Sequence, residues 1–586
     1  MYFPKFKSFQ VLIPLLKAHN IKQIVISPGS RMREFVLAVE EDPFFTCYSV
    51  TDERSASYFA IGIAQELNEP VAITCTSSTA TVNYYPGITE AFYQKVPILI
   101  LTGDRDPYLL GQQEDQMIDQ INMYDRIVRK SVHLPIVNNE SDFWYCERLI
   151  NEAILELDHR VKGPVHINIP VPAKITWHRD KEIEKYPEVR VINRILLNDK
   201  FTSHINEKIN ILKDANKILI LAGQNTKPFN TQLLTSFFEK YNCIIHSEHM
   251  GNIEIEGRLN LSMLSDGISE SEFDEFMPDI VISFHGTLGI TRNMKETFRT
   301  KKFEHWHICE NGEVVDAYKN LTTVFECSPN TFLKYCIEHT NHEFQNNRVY
   351  HKQWLEKYKQ VNYPEIPYSN VLVIKELINK LPSDSLLHLS ILNSIRISHF
   401  FQLPQQTKVY ANIGTDGIDG SMSTFLGQTT VSDKLSFLII GDLSFFYDMN
   451  ALRIKHIKNN VRILLINNHG GNEFYQQPIM LATDRSLGAR HHNSAKGWVE
   501  SVGFKYLSAE TEKEYKNQLK EFMTNKTDAP ILFEVFTDTM VDRETVFAMR
   551  KGIRMIFDKN AKLKNTARSV LGESGIKTLK NILGKK

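Results

Sequence analysis

The sequence predicts an α/β protein made of three doubly wound parallel-sheet domains in a row. Three observations carry this. Short β-branched apolar runs alternate with helical patterns almost throughout, the rhythm of βαβ units with helices on both faces of a parallel sheet. The runs in IKQIVISPGS, PVAITCTSST and VPILILTGDR end in Gly, Ser, Thr or Asp. Two charged or polar stretches, HRDKEIEKYPEVR (178–190) and HKQWLEKYKQVNYPEIPYSN (351–370), interrupt the rhythm and divide the chain.

The first unit is read over residues 1–180. Its strands are IKQIVISPGS (21–30), PVAITCTSST (70–79), VPILILTGDR (96–105) and VKGPVHINIP (161–170), with helical spacing in RSASYFAIGIAQEL (54–67) and TVNYYPGITEAFYQ (81–94). The N-terminal segment has Leu/Ile spacing that suits an amphipathic helix better than a signal peptide. The second unit, 190–350, holds KILILAGQNT (217–226) and DIVISFHGTLG (279–289). The third, 360–556, holds runs at SLLHLSIL, KVYANIGT, SFLIIGD, RILLINN and APILFEVF. A basic tail, 557–586, has Ile576, Leu579, Ile582 and Leu583 spaced for one helix face, read as a solvated helix packed on its own protein, with a membrane-surface or partner contact as the alternative.

With 68 basic and 69 acidic side chains the formal charge is −1, which gives no global field to attract nucleic acid. There is no run of 18 apolar residues, so no transmembrane segment is expected. The seven cysteines are scattered, odd in number and without a C-x-x-C pair, as in a reduced cytoplasmic protein without a zinc site.

Chemistry is expected at the carboxyl ends of the third unit's strands, where open parallel sheets bind ligands. FLIIGDLSFFYDMN (437–450) stops at Gly441-Asp442, and VRILLINNHGGNEF (461–474) stops at Asn467-Asn468 before Gly470 and Gly471. Asp442 and Asn468 are 26 residues apart, room for one helix and one strand. A carboxylate, an amide oxygen and a turn carbonyl form a hard oxygen set that suits Mg²⁺, with phosphate and water completing its shell. The glycines admit a diphosphate close to backbone, and the helix starting at Asp442 turns its amides toward it.

GDLSFFYDMN followed by NNHGGNEF resembles the thiamine diphosphate motif. The resemblance implies the fold of the thiamine diphosphate enzymes: pyrimidine-binding, middle and diphosphate-binding domains. It implies thiamine diphosphate and Mg²⁺ as cofactors, with the metal held by Asp442, Asn468 and the Gly470 carbonyl. It further implies contacts to the cofactor from Gly441, Leu443 and Ser444, and Ile418 in GTDGIDG as the apolar prop. The resemblance assigns Glu53, in VTDERSASYFAIG, as the catalytic carboxyl beside the aminopyrimidine, where it promotes the imino tautomer that removes the C2 proton. It implies a homodimer or homotetramer with the active site at the subunit interface. No G-x-G-x-x-G stands in a strand–helix context, which disfavours a dinucleotide enzyme. No dedicated histidine base emerges, and His491-His492 read as surface residues.

SPGSR (27–31), DERSAS, TSSTATVNYYPGITEAFY, LTGDR (101–105), QMIDQ and NIGTDGIDG resemble, in addition, one branch, the 2-succinyl-5-enolpyruvyl-6-hydroxy-3-cyclohexene-1-carboxylate synthases of the menaquinone pathway. The similarity runs from residue 1 to about 555. It implies a decarboxylating carboligase acting on small anionic metabolites, with Ser30, Arg31, Arg105, Gln116 and Arg292 on the acceptor side, Arg396 on the donor side and Phe474 at the pocket. Several positions depart from that pattern. Met32-Arg33-Glu34 follow SPGSR; Ile391-Leu392 replace an Asn-Ser pair; Ile413 replaces an arginine; Thr291 replaces a lysine; Glu473 replaces an apolar residue and is expected to repel the donor's charge. An unmatched buried carboxylate costs several kcal/mol, of order ~3 or more. The cofactor set is intact and the donor set is not, so the expected activity is carboligation with an altered donor or acceptor. The family's own reaction of 2-oxoglutarate with isochorismate and a non-catalytic cofactor-binding scaffold stand as alternatives.

Overall fold

The computed structural model describes residues 2–171, 185–192, 203–265, 267–268, 270–287, 292–339, 346–475 and 486–557. The basic tail from 558 onward and Thr291 lie outside the described residues. Three six-stranded sheets follow one another along the chain, and all their strand pairs are parallel.

The first sheet contains β1 (Gln23–Ile26), β2 (Thr46–Ser49), β3 (Val71–Cys75), β4 (Ile98–Asp104), β5 (Lys130–His133) and β6 (Val165–Pro170), in the order 2-1-3-4-6-5. The second contains β7 (Ile218–Ala222), β8 (Cys243–Ser247), β9 (Arg258–Leu259), β10 (Ile280–Phe284), β11 (Glu304–Cys309) and β12 (Leu321–Glu326), in the order 12-11-10-7-8-9. The third contains β13 (Leu386–Leu389), β14 (Lys408–Tyr410), β15 (Ser436–Gly441), β16 (Val461–Asn467), β17 (Lys505–Ala509) and β18 (Ile531–Phe536), in the order 14-13-15-16-18-17. Renumbered from its own first strand, the third sheet repeats the 2-1-3-4-6-5 order of the first. The second has the distinct doubly wound order 3-2-1-4-5-6. The order reverses between β1 and β3 in the first sheet and between β13 and β15 in the third. Those two reversals are the switch points where crevices open.

The central strands are apolar and fully buried because helices cover both faces: β3, β4, β6, β7, β16 and β13 are buried at every residue. The N-terminal helix, Lys7–Ala18, buries Phe9, Val11, Leu12, Ile13, Leu15 and Leu16 in the core of the first sheet. The departures after SPGSR are structural here. Glu34 is buried and accepts the Lys5 amide at 2.7 Å and the Phe6 amide at 3.3 Å, fastening the start of that helix. Met32 lies against Gly103 at the end of β4.

Helix Glu53–Leu67 of the first unit crosses helix Ser421–Thr430 of the third at backbone contact. A Cβ added to Gly62 would sit 2.0 Å from the Thr424 carbonyl oxygen, and one added to Gly427 would sit 2.1 Å from the Phe59 carbonyl oxygen. Polar contacts surround this crossing. Gln65 accepts from Gln428 at 2.9 Å, and buried Glu90 accepts the Gly414 amide at 3.0 Å and the Thr415 amide at 2.8 Å. Asp448, fully buried, accepts the Ser423 amide and hydroxyl, each at 2.7 Å, with Arg54 at 3.4 Å. Burial raises the Asp448 carboxyl to about 7, against the pull of Arg54 and Ser423.

Two predictions follow from this contact. Gly62→Val or Gly427→Val forces the helices apart and should cost about 1–3 kcal/mol or more in urea unfolding; unchanged midpoints would contradict it. Because the folded carboxyl of Asp448 titrates above its unfolded value, it favours folding at low pH. That contribution is lost as pH rises from about 4 through about 7. Asp448→Asn should flatten the fall in stability across that window, measured by urea midpoints at fixed pH steps.

Candidate functional site

The crevice between β13 and β15 is a cavity of about 240 Å³. Ile418, Gly441, Asp442, Leu443, Ser444, Asn468 and Gly470, all singled out from sequence, line it together with Phe474. Most arrive from a strand end or the turn after it, while Ile418 comes from the loop between β14 and helix Ser421–Thr430 and Phe474 from helix Asn472–Tyr475. β15 ends at Gly441, and helix Asp442–Asp448 begins at once; β16 ends at Asn467, and the turn runs through His469 (φ 64°) and Gly470 (φ 145°). Gly470 is required there, since its φ suits no side chain and a Cβ would meet the Gly488 carbonyl at 2.5 Å.

Asp442 is buried. Its Oδ2 accepts the Gly470 amide at 2.9 Å and lies 3.2 Å from His491 Nε2, and its Oδ1 accepts the Leu443 amide at 2.7 Å. Burial pushes its carboxyl up, opposed by the Gly470 amide and by His491. His491 is therefore not a surface residue as read from sequence; His492 is exposed. Asn468 donates its Nδ2 to Asp542 Oδ2 at 3.0 Å, which leaves Oδ1 as the free end of its amide. Asp542, fully buried, also accepts the Asn370 amide at 2.7 Å and the Thr537 hydroxyl at 2.8 Å, and burial raises it to about 6. Ser444 donates to the Ile418 carbonyl at 2.7 Å and lies 3.2 Å from the Ser390 hydroxyl.

This set fits a metal–diphosphate group. A Cβ on Gly441 would meet nothing within 4 Å, so the space before it belongs to the cavity, not to packing. The oxygen donors are one buried carboxylate, one amide and a turn carbonyl. Among the described residues no cluster of three or more His, Cys, Asp or Glu could hold a metal. An ion here needs oxygens from a ligand, as Mg²⁺ bridging phosphates does.

Of the other predicted residues, Glu53, Ser30, Arg31, Arg105 and Gln116 lie in the first unit, beyond the carboxyl ends of its strands. Glu53 opens helix Glu53–Leu67, and its Oε2 accepts from Asn83 Nδ2 at 3.3 Å. Its neighbours reach toward the third unit: Asp52 accepts from Asn450 and Arg54 pairs with Asp448. Arg31 is buried, with no hydrogen-bond partner on its Nε. Burial lowers its guanidinium, adjacent Arg105 lowers it further, and Glu114 and Asp104 oppose. Arg105 pairs with Glu114. Ser30 and Gln116 are exposed; Gln116 exchanges hydrogen bonds with Ser77 through its own carbonyl at 3.0 Å and its side chain at 3.3 Å. Gln120, which sequence reasoning passed over, is fully buried beneath them. It accepts the Ser78 amide at 2.7 Å and donates to the Gly103 carbonyl at 3.2 Å and Asn168 at 3.0 Å. Arg292 opens helix Arg292–Thr300, and its side chain is not described.

Three of the departures have definite places in the structure. Glu473 pairs with Arg396, Oε2 to Nη1 at 2.5 Å, instead of standing as an uncompensated charge. Ile413 is buried in the core under the third sheet, and Ile391 and Leu392 line the cavity itself. Leu392 holds φ 62° and ψ −117°, and Ser78 holds φ 72° and ψ −129°; both precede short helices at the switch points. Backbone so strained persists where the surroundings dictate it.

Residues 6–123 match the family model described as "Thiamine pyrophosphate enzyme, N-terminal TPP binding domain". The chain is 39% identical to the 2-succinyl-5-enolpyruvyl-6-hydroxy-3-cyclohexene-1-carboxylate synthase of Bacteroides thetaiotaomicron over 555 residues, covering 92% of this chain and 98% of that one. It is 38% identical to the Phocaeicola vulgatus synthase over 92% and 97% of the two chains, and 30% identical to that of Flavobacterium johnsoniae over 92% and 97%. The chain belongs to this synthase family. It is a thiamine diphosphate- and divalent metal-dependent decarboxylating carboligase with the three-sheet fold of those enzymes. No helix among the described residues is long and apolar enough to cross a membrane.

Asp542 holds Asn468 from behind, so Asp542→Asn, which keeps the shape but not the acceptor pair, should turn the amide. Calorimetry with Mg²⁺ should show thiamine diphosphate binding about 10-fold weaker, as for residues that orient metal ligands. Unaltered affinity with the fold intact would remove Asp542 from the site.

Proposed function

We propose that this synthase-family enzyme uses a 2-oxo acid donor without a second carboxylate and joins its acyl group to an anionic acceptor. The observation that carries the reading is the Arg396–Glu473 pair. Apart from Asp442 at the metal end, the charged side chain lining the described cavity is Glu473, and it is already matched within the chain; the remaining walls include Ile374, Ile391, Leu392, Ile397, Ile418 and Ile466. A donor with a distal carboxylate would meet apolar walls and an acid, whereas an uncharged side chain meets no penalty. Arg31 beside Arg105 supports an acceptor that is an anion.

When bound, thiamine diphosphate supplies the electron sink for decarboxylation. Asp442, Asn468 Oδ1 and the Gly470 carbonyl would hold the metal, Gly441, Leu443 and Ser444 would lie against the diphosphate, and Ile418 would prop the thiazolium. Glu53 would hydrogen-bond the aminopyrimidine and set its tautomer. Phe474 would close the donor side, and Ser30, Arg31, Arg105, Gln116 and Arg292 would hold the acceptor. Glu53 does not line the Asp442 cavity within one chain, which supports a homodimer or homotetramer with each site built from two copies. Exposed apolar side chains flank both halves: Val82 and Tyr85 on the segment around Asn83, which meets Glu53, Tyr447 against Arg54, and Phe474 at the Asp442 cavity. A cytoplasmic enzyme fits its seven free cysteines. The family's own reaction, 2-oxoglutarate with isochorismate, is the second reading, favoured by the full-length similarity to the named synthases.

The deciding experiment offers pyruvate, 2-oxobutyrate and 2-oxoglutarate to the wild type and to Glu473→Gln, reading CO₂ release. The wild type should prefer the uncharged donors. Freeing Arg396 for a charge-assisted bond, about 1.5–3 kcal/mol, should raise kcat/KM for 2-oxoglutarate at least about 10-fold. Full wild-type turnover of 2-oxoglutarate with isochorismate, and no gain in the variant, would overturn the reading.

A further inference from the structure

Ile418 reaches the cofactor cavity from a loop, residues 411–420, that lies outside helix and strand, and Asp416 within it holds φ 55°. Such a segment is only as well placed as the contacts that grip it. Most of these come from the first unit. At the start of the loop, fully buried Glu90 of helix Tyr85–Gln94 accepts the Gly414 amide at 3.0 Å, the Thr415 amide at 2.8 Å and the Thr415 hydroxyl. The approach is close: a Cβ on Gly414 would lie 3.1 Å from Glu90 Oε1 and 3.0 Å from Gln94 Cγ. Gln94 donates to Glu90 and to the Ala411 carbonyl, and Gln224 of the second unit donates to the same carbonyl at 2.8 Å. At the far end, Arg54 donates to the Asp419 carbonyl and Tyr58 to Asp419 Oδ2 at 3.2 Å. Gly420 lies on the Tyr58 ring, where a Cβ would come within 2.4 Å. Ile418 stands between these two grips.

Glu90 differs from the other acids where the first and third units meet. Glu66 faces Lys408 at 3.2 Å and accepts the Tyr410 hydroxyl, and Asp448 faces Arg54. Glu90 forms no ion pair among the described residues. Its donors are two consecutive backbone amides, the Thr415 hydroxyl and the Gln94 carboxamide. Burial raises its carboxyl, and those same donors oppose the rise. Hydrogen bonds to an ionised acceptor are short and directional. Two of them on neighbouring amides fix the path of the loop backbone, which a bond to one flexible side chain does not.

We propose that Glu90 is a positioning residue for the cofactor site: through the Gly414 and Thr415 amides it sets the loop that presents Ile418 to the thiamine diphosphate. The role rests on the reading of Ile418 as the apolar prop given above, so the two are measured separately.

The test is a double-mutant cycle of Glu90→Gln and Ile418→Ala, read by calorimetry of thiamine diphosphate with Mg²⁺, with urea midpoints measured alongside. Glu90→Gln turns one acceptor oxygen into a donor facing the loop and should weaken the cofactor about 10-fold. Both residues act through one contact, so adding Glu90→Gln to Ile418→Ala should cost less than about threefold more. Thr415→Val removes only the hydroxyl of an exposed residue; it should weaken the cofactor about threefold, and it carries the same cycle where Glu90→Gln fails to fold. Tyr410→Phe removes the hydroxyl bond to Glu66 between the same two units. It should lower the urea midpoint and leave the Kd for thiamine diphosphate unchanged. Losses that multiply in the double variant, wild-type affinity in the loop variants, or an equal loss in Tyr410→Phe would overturn the positioning role and leave the prop standing. Unchanged affinity in Ile418→Ala would overturn the prop, and this role with it.

Discussion

Two glycines decide how this molecule is assembled. Gly62 and Gly427 bring helices Glu53–Leu67 and Ser421–Thr430 together at backbone distance, with no room for a single methyl group on either side. Contact this close fixes angle and register, and Gln428 on Gln65, Glu90 on the Gly414 and Thr415 amides and Asp448 with Arg54 fasten the two units beside it. The first and third sheets share one topology and are held through these helices. Helix Glu53–Leu67 also begins beyond the carboxyl ends of the first sheet's strands, and helix Ser421–Thr430 begins just after Ile418 at the third sheet's crevice. One crossing therefore sets the position of both halves of the chemistry.

Each half is incomplete by physical criteria. The Asp442 cavity has a single carboxylate for the metal and an apolar interior, which strengthens every charge interaction inside it. Arg31 stands beside Arg105, with Glu114 paired to Arg105 and Asp104 nearby, and its Nε has no hydrogen-bond partner. A cofactor with an anionic diphosphate tail and, as proposed above, an anionic acceptor complement these two surfaces.

The central strands were legible in the sequence because their burial on both faces makes them continuous apolar runs. The strands that escaped notice are mostly at edges: β2, β5 and β17 run four or five residues and are fully buried at only one or two of them, and β9 has two residues. Asp442, Asn468 and Gly470 stood out because they sit at strand ends beside glycines, a local pattern, whereas Glu53 and Ile418 came from the family resemblance. Asp542, 74 residues from Asn468, and Gln120, 42 residues from Ser78, were not legible, since only the fold brings them near. Glu473 was noticed for its charge, but whether it repels a ligand or pairs with Arg396 depends on which way one helical turn faces. His491 was read as surface because its packing against Asp442 comes from a turn of chain that carries no periodic signal.

The central claim is that Glu53 of one copy works with Asp442 of another. Mixing refolded Glu53→Gln and Asp442→Ala chains, each inactive alone, tests it directly through exchange of the C2 proton of thiamine diphosphate. In a symmetric dimer half the pairs are hybrids and each hybrid has one intact site, so roughly a quarter of wild-type exchange should return. No recovery, with hybrids demonstrably formed, would place both residues in a single chain's site and contradict this account.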